Sequence, residues 1–139
     1  MHVNRKDLQD LANVRLNEAR ALFASGFFDG AYYLAGYAVE CALKACIAKR
    51  TRRYDFPDRR RVESSYSHVL ADLLKVAGLE EERRARANVD LQFETNWDVA
   101  KAWSEQSRYS RNDRRAAEAL LAAIADPRHG VLSWIKHRW

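Results

Sequence analysis

A chain of 139 residues is long enough to form one hydrophobic core but short for two domains. Hydrophobic residues make up 47% of it, with only two Pro and five Gly, which argues against intrinsic disorder and against turn-rich all-β folds. The formal net charge is +5, and 18 of the 24 basic residues are arginine. We therefore expect one all-helical domain over residues 1–139, with a surface suited to phosphate or carboxylate groups.

The arginines fall into three clusters along the chain. They comprise Arg52, Arg53, Arg59, Arg60 and Arg61, then Arg83, Arg84 and Arg86, then Arg108, Arg111, Arg114 and Arg115. Each cluster fits either a polyanion partner, meaning RNA or a nucleotide, or an ordinary solvated surface in an arginine-rich chain. Composition alone leaves both interpretations open.

Neither the cysteines nor the N-terminal residues indicate a metal site or export. Cys41 and Cys46 lie five positions apart on one predicted helix and point to different faces, so we expect two buried, unlinked thiols. Because no Cys or His spacing is typical of zinc, we expect no metal and no cofactor. The charged first residues are not followed by an apolar segment, which favours a cytoplasmic protein without a signal peptide.

Hydrophobic periodicity predicts an up-and-down bundle of four to five helices with a short C-terminal helix. The predicted helices cover residues 4–25, 27–49, 68–77, 97–106 and 113–125, and a last one begins near 127. Asn4 and Ser67 are expected to cap the first and third helices, and Pro127 to occupy the first turn of the last. Residues 80–87 are predicted to form a short charged helix or turn, and 51–66, with Pro57, a long basic connection.

The second predicted helix is apolar on most sides, which favours burial at the centre of the bundle. A membrane span is disfavoured because its mid-helix charges, Glu40 and Lys44, would together cost several kcal/mol at the centre of a bilayer. A second polar feature of the same face is the pair Tyr33 and Tyr37, while the i,i+4 spacing of Glu40 and Lys44 predicts an ion pair. Small residues form a seam for close packing on another helix, within the chain or across a dimer: Ala31, Ala35, Ala38, Ala42 and Ala45.

Three segments together resemble the HEPN domain family. Residues 26–45 carry Gly26, Asp29, a run of small and aromatic residues, and then Glu40 and Lys44, which resembles the family's second helix. The segment His68-Val69-Leu70-Ala71-Asp72-Leu73-Leu74 is similar to its His-x-Leu-x-x-Leu segment. Ser107-Arg108-Tyr109, followed by an Ala-rich helix, is similar to its Arg-Tyr element. The resemblance extends over about residues 5–126.

The resemblance implies a bundle that usually forms a symmetric homodimer and acts as a nucleotide- or RNA-associated binding module. Such modules often pair with a small nucleotidyltransferase in toxin–antitoxin or defence loci. Arg108 and Tyr109 are the leading candidates for contact with an anion or nucleotide, and Tyr37, Glu40 and Lys44 are further candidates. Each candidate also has a structural interpretation. Glu40 and Lys44 could form only an ion pair within the bundle, and Tyr33 and Tyr37 could be core aromatic residues. Arg108 could be a structural arginine at a helix junction.

Some HEPN proteins are metal-independent ribonucleases with an Arg-x(4–6)-His motif, and Arg61 and His68 match it literally. In such an enzyme the histidine would act as general base or acid toward the 2′-hydroxyl, and the arginine would hold the scissile phosphate. With 18 arginines in 139 residues, however, a match of this kind is expected by chance. A binding module is therefore favoured over an endoribonuclease, and a purely structural interaction domain is the third interpretation.

Overall fold

A computed structural model describes residues 3–53 and 66–139, and every regular element in these ranges is helical. The α-helices in these ranges are α1 (Arg5–Ala24), α2 (Phe28–Arg53), α3 (Leu70–Val76), α4 (Glu80–Val89), α5 (Leu91–Lys101), α6 (Arg114–Ala125) and α7 (Val131–Lys136). A 3₁₀ helix, Glu105–Tyr109, connects α5 to α6. The predicted all-helical bundle is confirmed, and the segment that begins at Glu80 is a helix of its own.

The ends of α1 follow from local side-chain and backbone chemistry. Asn4 accepts a hydrogen bond from the backbone N–H of Asp7 at 2.9 Å, and the Asp7 carboxylate accepts one from the N–H of Asn4 at 3.1 Å, which is the predicted cap. At the other end Gly26 adopts φ +85°, and the N–H of Phe27 donates to the carbonyl of Leu22 at 2.9 Å. This turn reverses the chain, so that α2 packs along α1.

α2 is the central helix of the bundle. The five seam alanines, Ala31, Ala35, Ala38, Ala42 and Ala45, are completely buried within the single chain. The seam therefore packs against neighbours in the same chain, and α2 contacts α1, α3, α6, α7 and the 3₁₀ helix. Within the two described ranges, no helix combines the length and apolar character needed to cross a bilayer.

A close approach between α2 and the segment after α5 positions the 3₁₀ helix. The indole of Trp103 lies directly against Gly36, where a Cβ would be 2.3 Å from the ring carbons. Trp103 is 2% exposed, and its ring centroid lies 6.0 Å from that of Tyr33. Only glycine at position 36 leaves room for the indole, so this pair fixes the chain two residues before Glu105.

The two cysteines are buried and form no disulfide, as predicted. Burial raises the pKa of Cys41 to about 11 and that of Cys46 to about 12. Because the thiolate is the reactive form of cysteine, neither side chain is poised for nucleophilic chemistry at neutral pH.

The predicted boundaries around α5 were wrong. The helix begins at Leu91, six residues before the expected start, because Asp90 acts as its N-cap and accepts from the N–H of Phe93 at 3.0 Å. It ends at Lys101, five residues before the predicted end at 106. Glu105 and Gln106 belong to the 3₁₀ helix instead. α2 continues to Arg53, beyond the predicted end at Lys49, and the rest of the predicted basic connection, 54–65, lies outside the described residues.

Two predicted helix starts were also wrong. The hydroxyl of Ser67 accepts from the N–H of Val69 at 3.1 Å, and Val69 itself is the N-cap of α3 without a side-chain bond. Pro127 lies in the turn before α7, which begins at Val131. In that turn the carboxylate of Asp126 accepts from the backbone N–H groups of Arg128 and His129. These hydrogen bonds stabilise a turn at Pro127 in place of the first turn of a helix.

Candidate functional site

A buried carboxylate lies at the centre of the polar face of α2. Glu40 is 2% exposed, and its Oε2 accepts from Nζ of Lys44 at 3.3 Å, which is the ion pair predicted from their spacing. Its Oε1 lies 2.9 Å from Nδ1 of His68, whose Nε2 lies 3.3 Å from Oε2 of Glu105 in the 3₁₀ helix. These four residues, called the Glu40 cluster below, connect α2, the segment before α3 and the 3₁₀ helix.

The Glu40 cluster places a carboxylate beside each ring nitrogen of His68. Nδ1 lies beside Glu40 and Nε2 beside Glu105, and the His68 side chain is 42% exposed. A ring nitrogen donates to a carboxylate only when it carries hydrogen, so the position of the proton decides which contact is a hydrogen bond. The histidine therefore joins α2 to the 3₁₀ helix. Arg61 lies outside the described residues, so the Arg61–His68 ribonuclease pair stays a prediction.

The two tyrosines of this face lie on α2 before Glu40. Tyr33 and Tyr37 are half-buried, with ring centroids 6.1 Å apart. Burial, and then the neighbouring Cys41 and Glu40 side chains, raise the pKa of Tyr37. Tyr37 is therefore a neutral phenol, and the binding roles predicted for Tyr37, Glu40 and Lys44 involve residues that are buried or half-buried.

Glu105 was missed by sequence reasoning. It lies 37 positions from His68 and 65 from Glu40, and no local spacing connects the three residues. The one sequence signal near it is the Arg-Tyr element that begins three residues later. The 3₁₀ helix therefore carries a structural carboxylate at its start and the predicted binding residues, Arg108 and Tyr109, at its end.

An exposed basic surface follows the 3₁₀ helix. It consists of residues that are all exposed and that are called the arginine surface below: Arg108, Tyr109, Arg111, Arg114 and Arg115. The guanidinium of Arg108 lies 4.9 Å from the ring centroid of Tyr109, which is 74% exposed. None of these four arginines forms an ion pair with a carboxylate among residues 3–53 and 66–139. The arginines that do so in these ranges are Arg15, Arg83, Arg84, Arg86 and Arg138.

Two carboxylates beside the arginine surface accept hydrogen bonds from backbone groups. Asp113 is the N-cap of α6 and accepts from the N–H of Ala116 at 2.8 Å. Asp29, from the segment that resembles the family's second helix, accepts from the N–H of Asn112. The first turn of α6 holds no acidic residue but two arginines, at an end where the helix dipole is positive. Two carboxylates thus lie beside the arginine surface, and its four guanidinium groups outnumber them.

The arginines of α4 provide the contrast. Arg83 and Arg84 lie 3.5 Å and 3.3 Å from Oε1 of Glu80, and Arg86 lies 3.2 Å from Oδ2 of Asp90. This second cluster is compensated by acidic neighbours on or next to the same helix. The side chains of the first cluster, at positions 52–61, lie outside the described residues.

No group of three or more His, Cys, Asp or Glu side chains is arranged to hold a metal ion in the part of the chain that the structure describes. The polar clusters consist of ion pairs and caps. The arginine surface offers positive charge, guanidinium hydrogen-bond donors and one exposed aromatic ring.

The sequence model described as HEPN domain matches residues 6–125. The chain belongs to the HEPN domain family. The matched range contains α1 to α6, the Glu40 cluster and the arginine surface, and it ends before α7. Family membership makes this HEPN domain a nucleotide- or RNA-related module in general. Comparison with curated proteins and with solved structures returned no match.

Proposed function

We propose that this HEPN domain is a binding module that holds the phosphate groups of RNA or of a nucleotide on the arginine surface. The observation that carries the proposal is the difference in pairing between two arginine clusters. All three arginines of α4 face carboxylates, whereas the four at positions 108–115 are exposed and form no ion pair with a described carboxylate. A surface that keeps its cations uncompensated attracts a polyanion most strongly.

The unbound surface carries an electrostatic cost that an anion would relieve. Arg114 and Arg115 occupy the first turn of α6, where cations are disfavoured by the helix dipole. The four arginines also lie within eight positions of the sequence, which brings like charges near one another along the chain. A bound phosphate reverses the sign of both effects, and the planar guanidinium suits its oxygens in paired hydrogen bonds.

Tyr109 adds a contact for a base. Its ring is exposed, and Arg108 lies against one face of it. Exposed aromatic rings beside guanidinium groups are typical of proteins that bind single-stranded nucleic acid, because bases stack on the rings while cations follow the backbone. The arginine surface therefore supplies both groups that a nucleotide needs.

The proposal extends to partners through the family resemblance. The module works as a homodimer and associates with a small nucleotidyltransferase in a toxin–antitoxin or defence-type system. Light scattering on the purified chain tests the homodimer, and co-purification with a nucleotidyltransferase encoded beside it tests the partner. A monomer at micromolar concentration, or no complex with such an enzyme, contradicts these two parts separately.

The binding site is tested with fluorescence anisotropy of a labelled single-stranded RNA at low salt, with ATP as competitor. The double variant Arg111→Gln/Arg115→Gln should weaken RNA binding about tenfold or more, because it removes two charge-assisted contacts. The matched control, Arg84→Gln/Arg86→Gln, removes the same net charge from the paired cluster and should change the affinity much less. Equal losses of affinity in both variants would reject a localised site. If the parent protein binds neither RNA nor ATP, the binding module is rejected in favour of a purely structural interaction domain.

The same preparations decide whether the module also cleaves RNA. The proposal expects RNA to stay intact during incubation with the parent protein. Cleavage by the parent that disappears in His68→Ala would replace the binding module by the endoribonuclease alternative. Cleavage that His68→Ala retains would indicate contamination, since the proposed chemistry requires this imidazole.

A further inference from the structure

A second basic region lies at the end of the bundle where α2, the α3–α4 turn and the segment after α7 meet. It forms a pocket of about 460 Å³, a size typical of small-molecule sites. Its polar lining comes from three parts of the chain: Lys49 and Arg50, Gly78 and Glu82, and His137 and Arg138. This pocket is called the α2–α7 pocket below.

The charge of the α2–α7 pocket is positive. Nε of Arg138 donates to Oε2 of Glu82 at 2.7 Å, which compensates the one carboxylate in the lining. Nζ of Lys49 donates to the backbone carbonyl of Arg138 at 3.4 Å, and Nη1 of Arg50 to that of Val76 at 3.3 Å. Among the described residues, neither of these two cations faces a carboxylate in an ion pair. Within the described part of the chain, two positive charges therefore lack an acidic partner and can attract an acidic ligand.

The guanidinium of Arg50 is held in place by the shape of the α3–α4 turn. Gly78 adopts φ +75° in a Schellman motif, in which the N–H of Leu79 donates to the carbonyl of Leu74 at 3.1 Å. A Cβ at position 78 would lie 2.1 Å from Nη1 of Arg50. The turn thus leaves the carbonyl of Val76 free to accept from Arg50, and the glycine leaves the space that the guanidinium occupies.

Arg138 is fixed in a similar way. Its guanidinium lies 4.2 Å from the ring centroid of Trp134, and its Nη1 donates to the carbonyl of that residue at 2.9 Å. Side chains held in one conformation lose little entropy on binding, so both guanidinium groups are preorganised for an anion. The buried side chains of Cys46 and Leu79 provide an apolar wall beside them.

We propose that the α2–α7 pocket binds a small phosphate-bearing ligand through Lys49 and Arg50. Phosphate fits the lining because the ammonium of Lys49 and the guanidinium of Arg50 line the same pocket, and the pocket volume beside the apolar wall leaves room for a compact organic group. The pocket shares no residue with the arginine surface. His137 and Arg138 lie beyond the range matched by the HEPN family, whereas Lys49 and Arg50 lie within it, so the pocket combines residues of the matched domain with residues that follow it.

The test is a ¹H–¹⁵N NMR titration of the full chain with inorganic phosphate and, separately, with AMP. The amides of Gly78 and Leu79 should shift on saturation, and the double variant Lys49→Gln/Arg50→Gln should weaken binding about tenfold or more, because two charged donors are lost. Tighter binding of AMP than of phosphate assigns the organic group to the apolar wall, and equal affinities assign the site to phosphate alone. The matched control, Arg84→Gln/Lys101→Gln, removes two cations that already face Glu80 and Asp98 and should bind as the parent does.

A second variant separates geometry from charge. Gly78→Ala retains every charge but forces the guanidinium of Arg50 to move, so it should also weaken phosphate binding. Spectra of both variants that match the parent away from the pocket establish that the fold is kept. Shifts confined to the amides of 111–116, no shifts with either probe, or full binding by Lys49→Gln/Arg50→Gln would each overturn the proposal. The first of these results would still support the arginine surface.

Discussion

Two polar regions are joined by the short 3₁₀ helix, and they use charge in opposite ways. At its start, Glu105 belongs to the Glu40 cluster, in which each charged group lies within 3.3 Å of an opposite charge or a histidine that can carry one. At its end, Arg108 and Tyr109 begin the arginine surface, which has no described acidic partner. Charge that is compensated around a buried carboxylate fixes the positions of helices, whereas uncompensated and exposed charge remains available to a ligand.

The largest effect is expected when the Glu40 cluster is broken. Glu40→Gln keeps the size of the side chain but removes the buried carboxylate that Lys44 and His68 both contact. The free energy of unfolding, measured with urea, should fall by about 2–4 kcal/mol. RNA binding by the folded fraction should remain at the parent level, because the arginine surface is untouched.

The control for Glu40→Gln is Glu118→Gln, an exposed position on α6. It removes the same charge, and its stability should stay within about 0.5 kcal/mol of the parent. A Glu40→Gln protein that is fully stable but has lost RNA binding would contradict this prediction. It would give the Glu40 cluster a role in binding instead of a role in stability.

The next effect concerns the salt dependence of RNA binding. The logarithm of the affinity falls linearly with the logarithm of salt concentration, with a slope of about 0.7 per phosphate contact on a single strand. Arg111→Gln/Arg115→Gln should therefore give a slope shallower by about 1.4, while Arg84→Gln/Arg86→Gln should keep the parent slope. Thermal denaturation should show no loss of stability in the first variant, because like-charge repulsion is relieved. An unchanged slope would place the phosphates elsewhere.

The features that could be predicted from sequence are those set by nearby residues. The Asn4 capping box, the alanine seam and the Glu40–Lys44 ion pair each depend on spacing along one helix. The paired state of the α4 arginines also follows such spacing, since Glu80 precedes Arg83 and Arg84 by three and four positions.

The features that sequence did not reveal join separate elements. Glu105 meets His68 only because the indole of Trp103 packs on Gly36 and fixes the start of the 3₁₀ helix. The α5 boundary was missed because Asp90 could serve as a cap only where the chain turns after α4. The position of the Arg-Tyr element was predicted by resemblance, but its exposure depends on how the bundle packs.

A smaller effect separates an aromatic contact from general exposure. Tyr109→Ala should weaken RNA binding about fivefold, near the lower end for loss of one stacked base. Tyr66→Ala is the matched control, because both tyrosines are 74% exposed and only Tyr109 belongs to the arginine surface. Anisotropy titrations at one salt concentration suffice. Equal losses in the two variants would mean that the RNA does not select the arginine surface.

The smallest effect concerns acid stability on the compensated side of the molecule. Nδ1 of His129 lies 2.8 Å from Asp90, and this hydrogen bond, followed by the N–H of Phe93, lowers the pKa of Asp90 below its ordinary value of 3.8. The stabilisation is present at pH above that value and is lost as the pH falls through the lowered pKa, because the folded state must then take up a proton.

The melting temperature of the parent should exceed that of Asp90→Asn at pH 6, and the two should converge as the pH falls below about 4. His129→Gln removes the first donor and should show a reduced form of the same convergence, since the N–H of Phe93 remains. A difference that stays constant from pH 6 to pH 3 would show that the charge of Asp90 does not stabilise the fold, and the distinction between compensated and available charge would then rest on the Glu40 cluster alone.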